Sequence, residues 1–363
     1  MPTPLWIVAD DLTGAADSGV AFAGAGPVRL DLGNGLSTAR VRVVDTDTRE
    51  ADVDTAARAI GAALARVQPG DEVFKKIDSL LRGQIAAELR VVRKMFPARK
   101  LIVAPAVPTL GRTGMASRLA TALGAREIGL DEIRSASLSL AAQPILVCDA
   151  ETDADLDAIV AAGRQLDPQP IWVGAAGLAS ALGRTYARPD QAAVPRCARV
   201  LIIAGSHSEP GIDQVDAAAK AGVRWVGLAA AELVAMSPAR MAELGRELVA
   251  LARVDSLLVS LTGVVDHDLR PPAAAALGRV CAPAALASEC LLLSGGATAR
   301  AVLTAARTTS LRLLGELEPG VVLTSTDPPT RPGSHVITKS GSFGDRFTLV
   351  RLVDTITGAE GAA

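Results

Sequence analysis

Two adjacent carboxylates, Asp10 and Asp11, end a short apolar run, Leu5 to Val8. Thr13 and Gly14 follow as a turn, and Ala15 to Ala23 is compatible with a helix. A strand end that opens into a helix start is where open α/β sheets bind ligands. Paired acids at such a place need cations, hydroxyl donors or a metal, because burying them unpaired is costly. The same residues also read as a capping turn, with Asp11 or Thr13 on the helix N-terminus and Asp10 solvated. Three more polar clusters follow strand-like runs. They hold Asp47 and Arg49; Lys75, Lys76, Asp78, Ser79 and Arg82; and Arg112. Arg and Lys hold a small carboxylate by charge-assisted hydrogen bonds, Arg bidentately. An Asp accepts hydrogen bonds from sugar hydroxyls and can take a proton from one. If the strands are parallel, these ends meet on one rim that suits a small polyhydroxy acid. The alternative is a solvated rim of ordinary ion pairs.

The second half carries glycine turns instead. Ser294-Gly295-Gly296-Ala297-Thr298 lies between a strand and a helix, where backbone N–H groups can cradle an anion. Gly205-Ser206-His207-Ser208 has the same placement, and Gly341-Ser342-Phe343-Gly344 follows a strand. None matches a P-loop, and no G-x-G-x-x-G stands at the first strand turn, which disfavours a dinucleotide site. His207, His267 and His335 form no visible triad and read as structural or solvated.

The elements that must position these groups alternate. Strands are expected at Val28 to Leu32, Val41 to Val44, Glu72 to Ile77, Leu101 to Ala104, Ile145 to Val147 and Ile171 to Val173. Helices are expected at Asp52 to Val67, Gln84 to Phe96 and Asp153 to Leu166, while Ser117 to Ala142 is less regular. A Pro-containing stretch, Arg184 to Arg199, reads as a linker, so that residues 1–185 and 200–357 form two α/β domains with largely parallel sheets. In the second, strands are expected at Val200 to Ala204, Val223 to Leu228, Ser256 to Leu261, Cys290 to Leu293, Val321 to Leu323 and His335 to Thr338, and a helix at Ala273 to Val280. Gly358 onward reads as a frayed tail.

Taken in order, the clusters resemble the four-carbon acid sugar kinase family. The likeness rests on Ala9-Asp10-Asp11-Leu12-Thr13-Gly14-Ala15, Asp45-Thr46-Asp47-Thr48-Arg49, Lys75-Lys76-Ile77-Asp78-Ser79-Leu80-Leu81-Arg82-Gly83, Gly111-Arg112-Thr113, the glycine turns above and Thr338-Lys339-Ser340-Gly341. It implies an N-terminal domain for the sugar acid, a C-terminal domain for ATP and an active-site cleft between them. By position, Asp10 or Asp11, Arg49, Lys76, Asp78 and Ser79 contact the acid, with Arg82 and Arg112 nearby. Ser206, Gly295, Gly296, Ala297, Thr298, Gly341 and Gly344 belong to the ATP site, and Mg²⁺ comes with the nucleotide. Asp10, Asp11 and Asp78 are the candidate bases, and Lys76 supplies positive charge. Three departures stand out: Leu80 where the family pattern has Thr, Ala297 where it has an acid, and a short segment after Thr113. They leave room for a different small hydroxy acid, or for a silent relative that binds a sugar acid or nucleotide.

Composition bounds the rest. With 363 residues the chain can bury two cores, and at 49% apolar but 2% aromatic these are built from aliphatic side chains. A net charge of −2, from 37 basic and 39 acidic residues, gives no electrostatic case for nucleic acid. Cys148, Cys197, Cys281 and Cys290 lack metal-ligand spacing and read as buried thiols in a reducing compartment. No signal peptide or membrane span is expected, so the class is a cytoplasmic enzyme; a homodimer is compatible with it.

Overall fold

In the first unit, short apolar runs become parallel strands because helices cover both faces of the sheet. The computed structural model describes residues 3–33, 37–135, 143–186, 193–206, 208–327 and 335–358. The chain divides into two units, Met1–Asp190 and Gln191–Ala363.

The first unit runs β1 (Leu5–Ala9), α1 (Leu12–Val20), β2 (Val28–Asp31), β3 (Val41–Asp45), α2 (Val53–Leu64), β4 (Glu72–Lys76), α3 (Ile85–Met95) and β5 (Leu101–Ala104). It continues with α4 (Ala116–Leu123), β6 (Arg126–Ile128), α5 (Leu130–Ile133), β7 (Ile145–Cys148), α6 (Asp153–Gly163), β8 (Ile171–Gly174) and α7 (Ala176–Gly183). The strand order is β2-β3-β1-β4-β8-β5-β7-β6, and every pairing is parallel. Val8, Val73 and Val173 face a core built with Ile60 of α2, Leu89 of α3 and Leu119 of α4. On the opposite face, α1 packs on α7 and α7 on α6. The helix after β1 and the helix after β4 therefore cover opposite faces although the two strands are neighbours. Such a reversal opens a crevice at the carboxyl ends of the strands.

The second unit runs β9 (Leu201–Ala204), α8 (Glu209–Lys220), β10 (Arg224–Ala229), α9 (Ala230–Ala235), α10 (Pro238–Ala252), β11 (Leu257–Thr262), α11 (Arg270–Ala287), β12 (Cys290–Ser294) and α12 (Gly296–Ala305). β13 (Ser310–Glu318), β14 (Val321–Thr326), β15 (His335–Lys339) and α13 (Thr348–Thr357) complete it. Five strands, β10-β11-β9-β12-β15, are parallel, and β14 and β13 add antiparallel pairs beyond β15.

Some expected boundaries move. α1 starts at Leu12 rather than Ala15, because the Asp11 side chain accepts from Gly14 N and caps it. α11 continues through Pro283 to Ala287. β13 and α9 were not expected, and Ser117 to Ala142 holds α4, β6 and α5 within its described part. The Asn34-Gly35 turn, His207, Pro189 in the linker and the tail beyond Gly358 lie outside the described residues. All four cysteines are buried and unbridged. Among the described residues, no helix is long and apolar enough to cross a membrane.

One feature of the first core is ionic. Lys75, on the inward face of β4, meets Glu88 of α3 at 3.0 Å, with side chains 1% and 2% exposed. Its ammonium also donates to the carbonyl of Lys76 at 2.8 Å. Removing one partner of a buried pair leaves an uncompensated charge, whereas replacing both with apolar groups is often neutral. Glu88→Ala should therefore cost about 3–5 kcal/mol in urea unfolding, and Lys75→Met with Glu88→Leu should recover most of that loss.

Candidate active site

The ends of β3, β1 and β4 lie side by side, and one guanidinium gathers what they carry. After β3 the backbone turns through Asp47, whose φ of 52° is left-handed. Thr48 N and Arg49 N then both donate to the carbonyl of Asp10, at 3.0 and 3.1 Å. This stitches the loop after β3 to the loop after β1 and aims Arg49 inward. Arg49 Nε and Nη2 hold the two oxygens of Asp10 at 3.0 and 2.7 Å. Nη2 also reaches Asp11 Oδ1 at 2.7 Å, and Nη1 lies 3.4 Å from Asp78 Oδ1.

Each carboxylate has further partners. Asp11 accepts from Thr13 Oγ1 at 2.7 Å and Gly14 N at 3.2 Å. Asp78 is gripped by Arg82 through Nε at 2.9 Å and Nη2 at 2.8 Å, and accepts from Leu80 N and Arg82 N. Arg112 donates to Ser79 Oγ at 2.7 Å, which brings the loop after β5 to the same rim. Buried Lys76 donates to the carbonyl of Ile77 at 2.9 Å. Gly83 closes the loop with φ of +86°, and a Cβ there would stand 2.8 Å from Asp10 Oδ2. Glycine is thus required both by conformation and by space.

Electrostatics follow from this packing. Burial pushes Asp10 up, but Arg49, Lys75 and Lys76 outweigh it and hold the carboxyl below its ordinary value. Asp78 is likewise raised by burial and lowered further by Arg82 and Arg49, with a net shift down. For Arg49 the three carboxylates overcome burial and raise its pKa. Burial lowers the Lys76 ammonium despite the opposing charge of Asp11. The packing therefore favours the charged forms of Asp10, Asp78 and Arg49, with opposite charges facing one another. Asp11 is the most open of its three acids, at 15% against 3% for Asp10 and 6% for Asp78.

The second unit gathers backbone rather than charge. β9, β12 and β15 are neighbours, and their ends carry Ser206, Gly295 and Gly341. Ser206 Oγ pairs with Ser208 Oγ at 2.9 Å, and Ser208 Oγ donates to the carbonyl of Gly341 at 3.1 Å. Gly341 sits so close to Ser206 that a Cβ would collide with its side chain. Gly296, Ala297 and Thr298 form the first turn of α12, with Thr298 buried against Gly205. Two hydroxyls, close glycine turns and the first turn of α12 thus come together at a helix start, a kind of place that suits anions. Gly344 has a left-handed φ of +84° and sits against Thr348 at the start of α13.

All seven substrate-side residues expected from the sequence meet in one cluster, but the capping alternative is also realised, since Asp11 caps α1 while binding Arg49. Asp10 is buried rather than solvated. Sequence reasoning missed Glu88, Ser208 and the structural demand on Gly83. The two-residue period Val73, Lys75, Ile77 was the signal for a buried lysine needing an acid.

The depressed acids have a consequence for acid stability. A carboxyl whose folded pKa lies below its unfolded value adds stability that is complete above the unfolded value, 3.8 here, and is lost as pH falls through the folded one. The unfolding midpoint should be flat above about pH 5 and fall steeply below about pH 4. Asp78→Asn should cost about 1.5–3 kcal/mol at neutral pH and make the acid limb shallower, as read by urea melts across pH.

Comparison with known proteins fits these two clusters. The sequence matches the family described as sugar-binding N-terminal domain over residues 5–128 and 116–182, and that described as nucleotide-binding C-terminal domain over residues 201–349. It is 32% identical to a D-threonate kinase of Cupriavidus necator, covering 94% of this chain and 95% of that one. A D-threonate kinase of Bordetella bronchiseptica is 30% identical, with 96% of each chain covered. The first of these alignments spans 408 positions, more than the chain's 363 residues, so that relative carries inserted residues. The fold is shared with solved structures from Salmonella typhimurium LT2 (TM-score 0.73, 19% identity, 97% of this chain and 98% of that chain) and Haemophilus influenzae (TM-score 0.64, 17% identity, 98% and 99%). With both domain types present in order and a 32% identical relative matched along nearly its whole length, the chain belongs to the four-carbon acid sugar kinase family.

Proposed function

We propose that the chain is an ATP-dependent kinase that phosphorylates a hydroxyl of a four-carbon acid sugar, with D-threonate as the first candidate. The observation that carries this reading is the Arg49 cluster: three carboxylates and several cations held at the strand ends of a sugar-binding domain, in a chain similar to D-threonate kinases. Arg82, Arg112 and Lys76 are the cations that receive the substrate carboxylate, with Arg82 56% exposed on its outer side. Asp78 and Ser79 accept and donate to its hydroxyls.

Asp11 is the proposed base. Its greater exposure lets an acceptor hydroxyl reach it, and its Oδ2 is held by the Thr13 hydroxyl rather than by a guanidinium, whereas both oxygens of Asp10 are held by Arg49 and both of Asp78 by Arg82. It takes the proton as the hydroxyl oxygen forms a bond to the γ-phosphorus, and the bond to the β–γ bridging oxygen breaks to release ADP. Ser206, Gly296, Ala297, Thr298 and Gly341 hold the phosphates through backbone N–H and hydroxyl groups, and Gly295, whose own N–H is bound to the carbonyl of Lys339, shapes the turn beside them. This donor set fits an anion rather than a bare cation. Mg²⁺ would therefore be held by the nucleotide and would supply neutralising charge there.

Leu80 supports a second reading. It is 42% exposed beside Ser79 and Arg82, so an apolar side chain lines the rim where the family pattern has a hydroxyl. That favours a four-carbon acid with a different hydroxyl arrangement.

A coupled ADP-release assay with ATP, Mg²⁺ and D-threonate, L-threonate, D-erythronate and 2-oxo-tetronates tests both. Turnover is expected with D-threonate. Asp11→Asn should lower kcat by about 10²–10⁴-fold, and Arg49→Ala should abolish turnover. ADP release at the no-substrate level across the panel, with ATP bound, would overturn the proposed activity; preference for another member would favour the reading from Leu80.

A further inference from the structure

Lys339 ends β15 and is fully buried, one residue before the turn that carries Gly341. Among the described residues no carboxylate lies within ion-pair distance of its ammonium. Glu318, the acid whose charge it feels, is bound by Arg351 at 3.0 Å. A buried cation without a paired carboxylate is costly, and it persists where backbone dipoles and an anion complete it. Lys339 has the first of these. Its Nζ donates to the carbonyl of Ser340 at 2.8 Å. Its own carbonyl accepts from Gly295 N at 2.8 Å. The next link is the bond from Ser208 Oγ to Gly341 O. The main chain at Lys339 thus meets the turn after β12, its side chain clamps the start of the turn after β15, and that turn is tied to the cap of α8.

We propose that Lys339 is a positioning residue for the nucleotide phosphates: its ammonium holds the carbonyl of Ser340, which sets the turn that carries Gly341, and it brings a buried positive charge to that turn. This rests on the reading that the cradle takes the phosphates of ATP. Burial brings the ammonium down to about 8, against the opposing pull of Glu318, so it keeps its proton at neutral pH. Lys339 belongs to the nucleotide-binding domain, so its effect is expected on the nucleotide.

The test is calorimetric binding of ATP, ADP and adenosine to the wild-type chain and to Lys339→Met, which keeps the volume and removes the charge. Wild type should bind ATP. The variant should bind ATP and ADP about ten-fold more weakly, with adenosine affinity and KM for the sugar acid unchanged. Unchanged ATP affinity in Lys339→Met, or an equal loss for adenosine, overturns the role of Lys339. Absence of ATP binding by wild type instead overturns the reading of the cradle. Should Lys339→Met fail to melt cooperatively, hydrogen exchange of the wild-type chain decides. Saturating ATP should slow exchange at Gly295 and across 339–344, and exchange there unmoved by bound ATP overturns the proposal.

Discussion

The first unit depends on one guanidinium. Asp10 and Asp11 are adjacent in sequence, Asp78 joins them from β4, and three carboxylates at such range repel one another unless a cation stands among them. Arg49 stands there, with Asp10 held bidentately and Asp11 and Asp78 at its remaining edge. A lysine could not do this, since its point charge lacks the planar fork. The backbone makes the arrangement specific. Asp10 offers its carbonyl to Thr48 N and Arg49 N, so the loop that delivers the arginine is tied to the residue it neutralises.

Neutralisation at the rim has a structural cost that is met deeper in the core. The strand that supplies Asp78 also supplies Lys75 and Lys76, on opposite faces. Each donates to the carbonyl of the following residue, so the end of β4 is clamped from both sides. Lys75 is paired with Glu88 within the core and also acts on Asp10, whereas Lys76 feels both Asp11 and Asp10 at the rim. Two neighbouring lysines of identical chemistry thus have different duties, decided by the period-2 geometry of a strand.

Much of this was legible in the chain, for physical reasons. Continuous apolar runs ending in polar clusters recur at β1, β3 and β4, and parallel pairing then obliges the clusters to meet. The exact partners were not legible. Nothing in the spacing of Asp10 and Arg49 says that the link is bidentate, because that follows from the left-handed turn at Asp47. β13 was missed since Ser-Leu-Arg-Leu-Leu-Gly-Glu-Leu-Glu has few β-branched residues and carries helix formers; pairing with β14 overrides that preference. α11 was expected only over Ala273 to Val280, and the helix runs from Arg270 through Pro283 to Ala287. His207, which the sequence places in a candidate turn, lies outside the described residues.

The two clusters differ in how they tolerate substitution, and this bears on the departures from the family pattern. The rim of the first unit works through side-chain charge, so each of its members is bound to a particular partner and Leu80 changes what the rim offers a ligand. The cradle of the second unit works through backbone N–H groups, a close glycine contact between Gly341 and Ser206, and one buried lysine. A side chain in the first turn of α12 contributes little to that geometry, so Ala297 leaves the N–H groups where they are. If the two clusters take the acceptor and the phosphates as proposed, change in such a chain is expected to accumulate in acceptor choice before it reaches nucleotide binding, because the first cluster is built from side chains and the second from main chain.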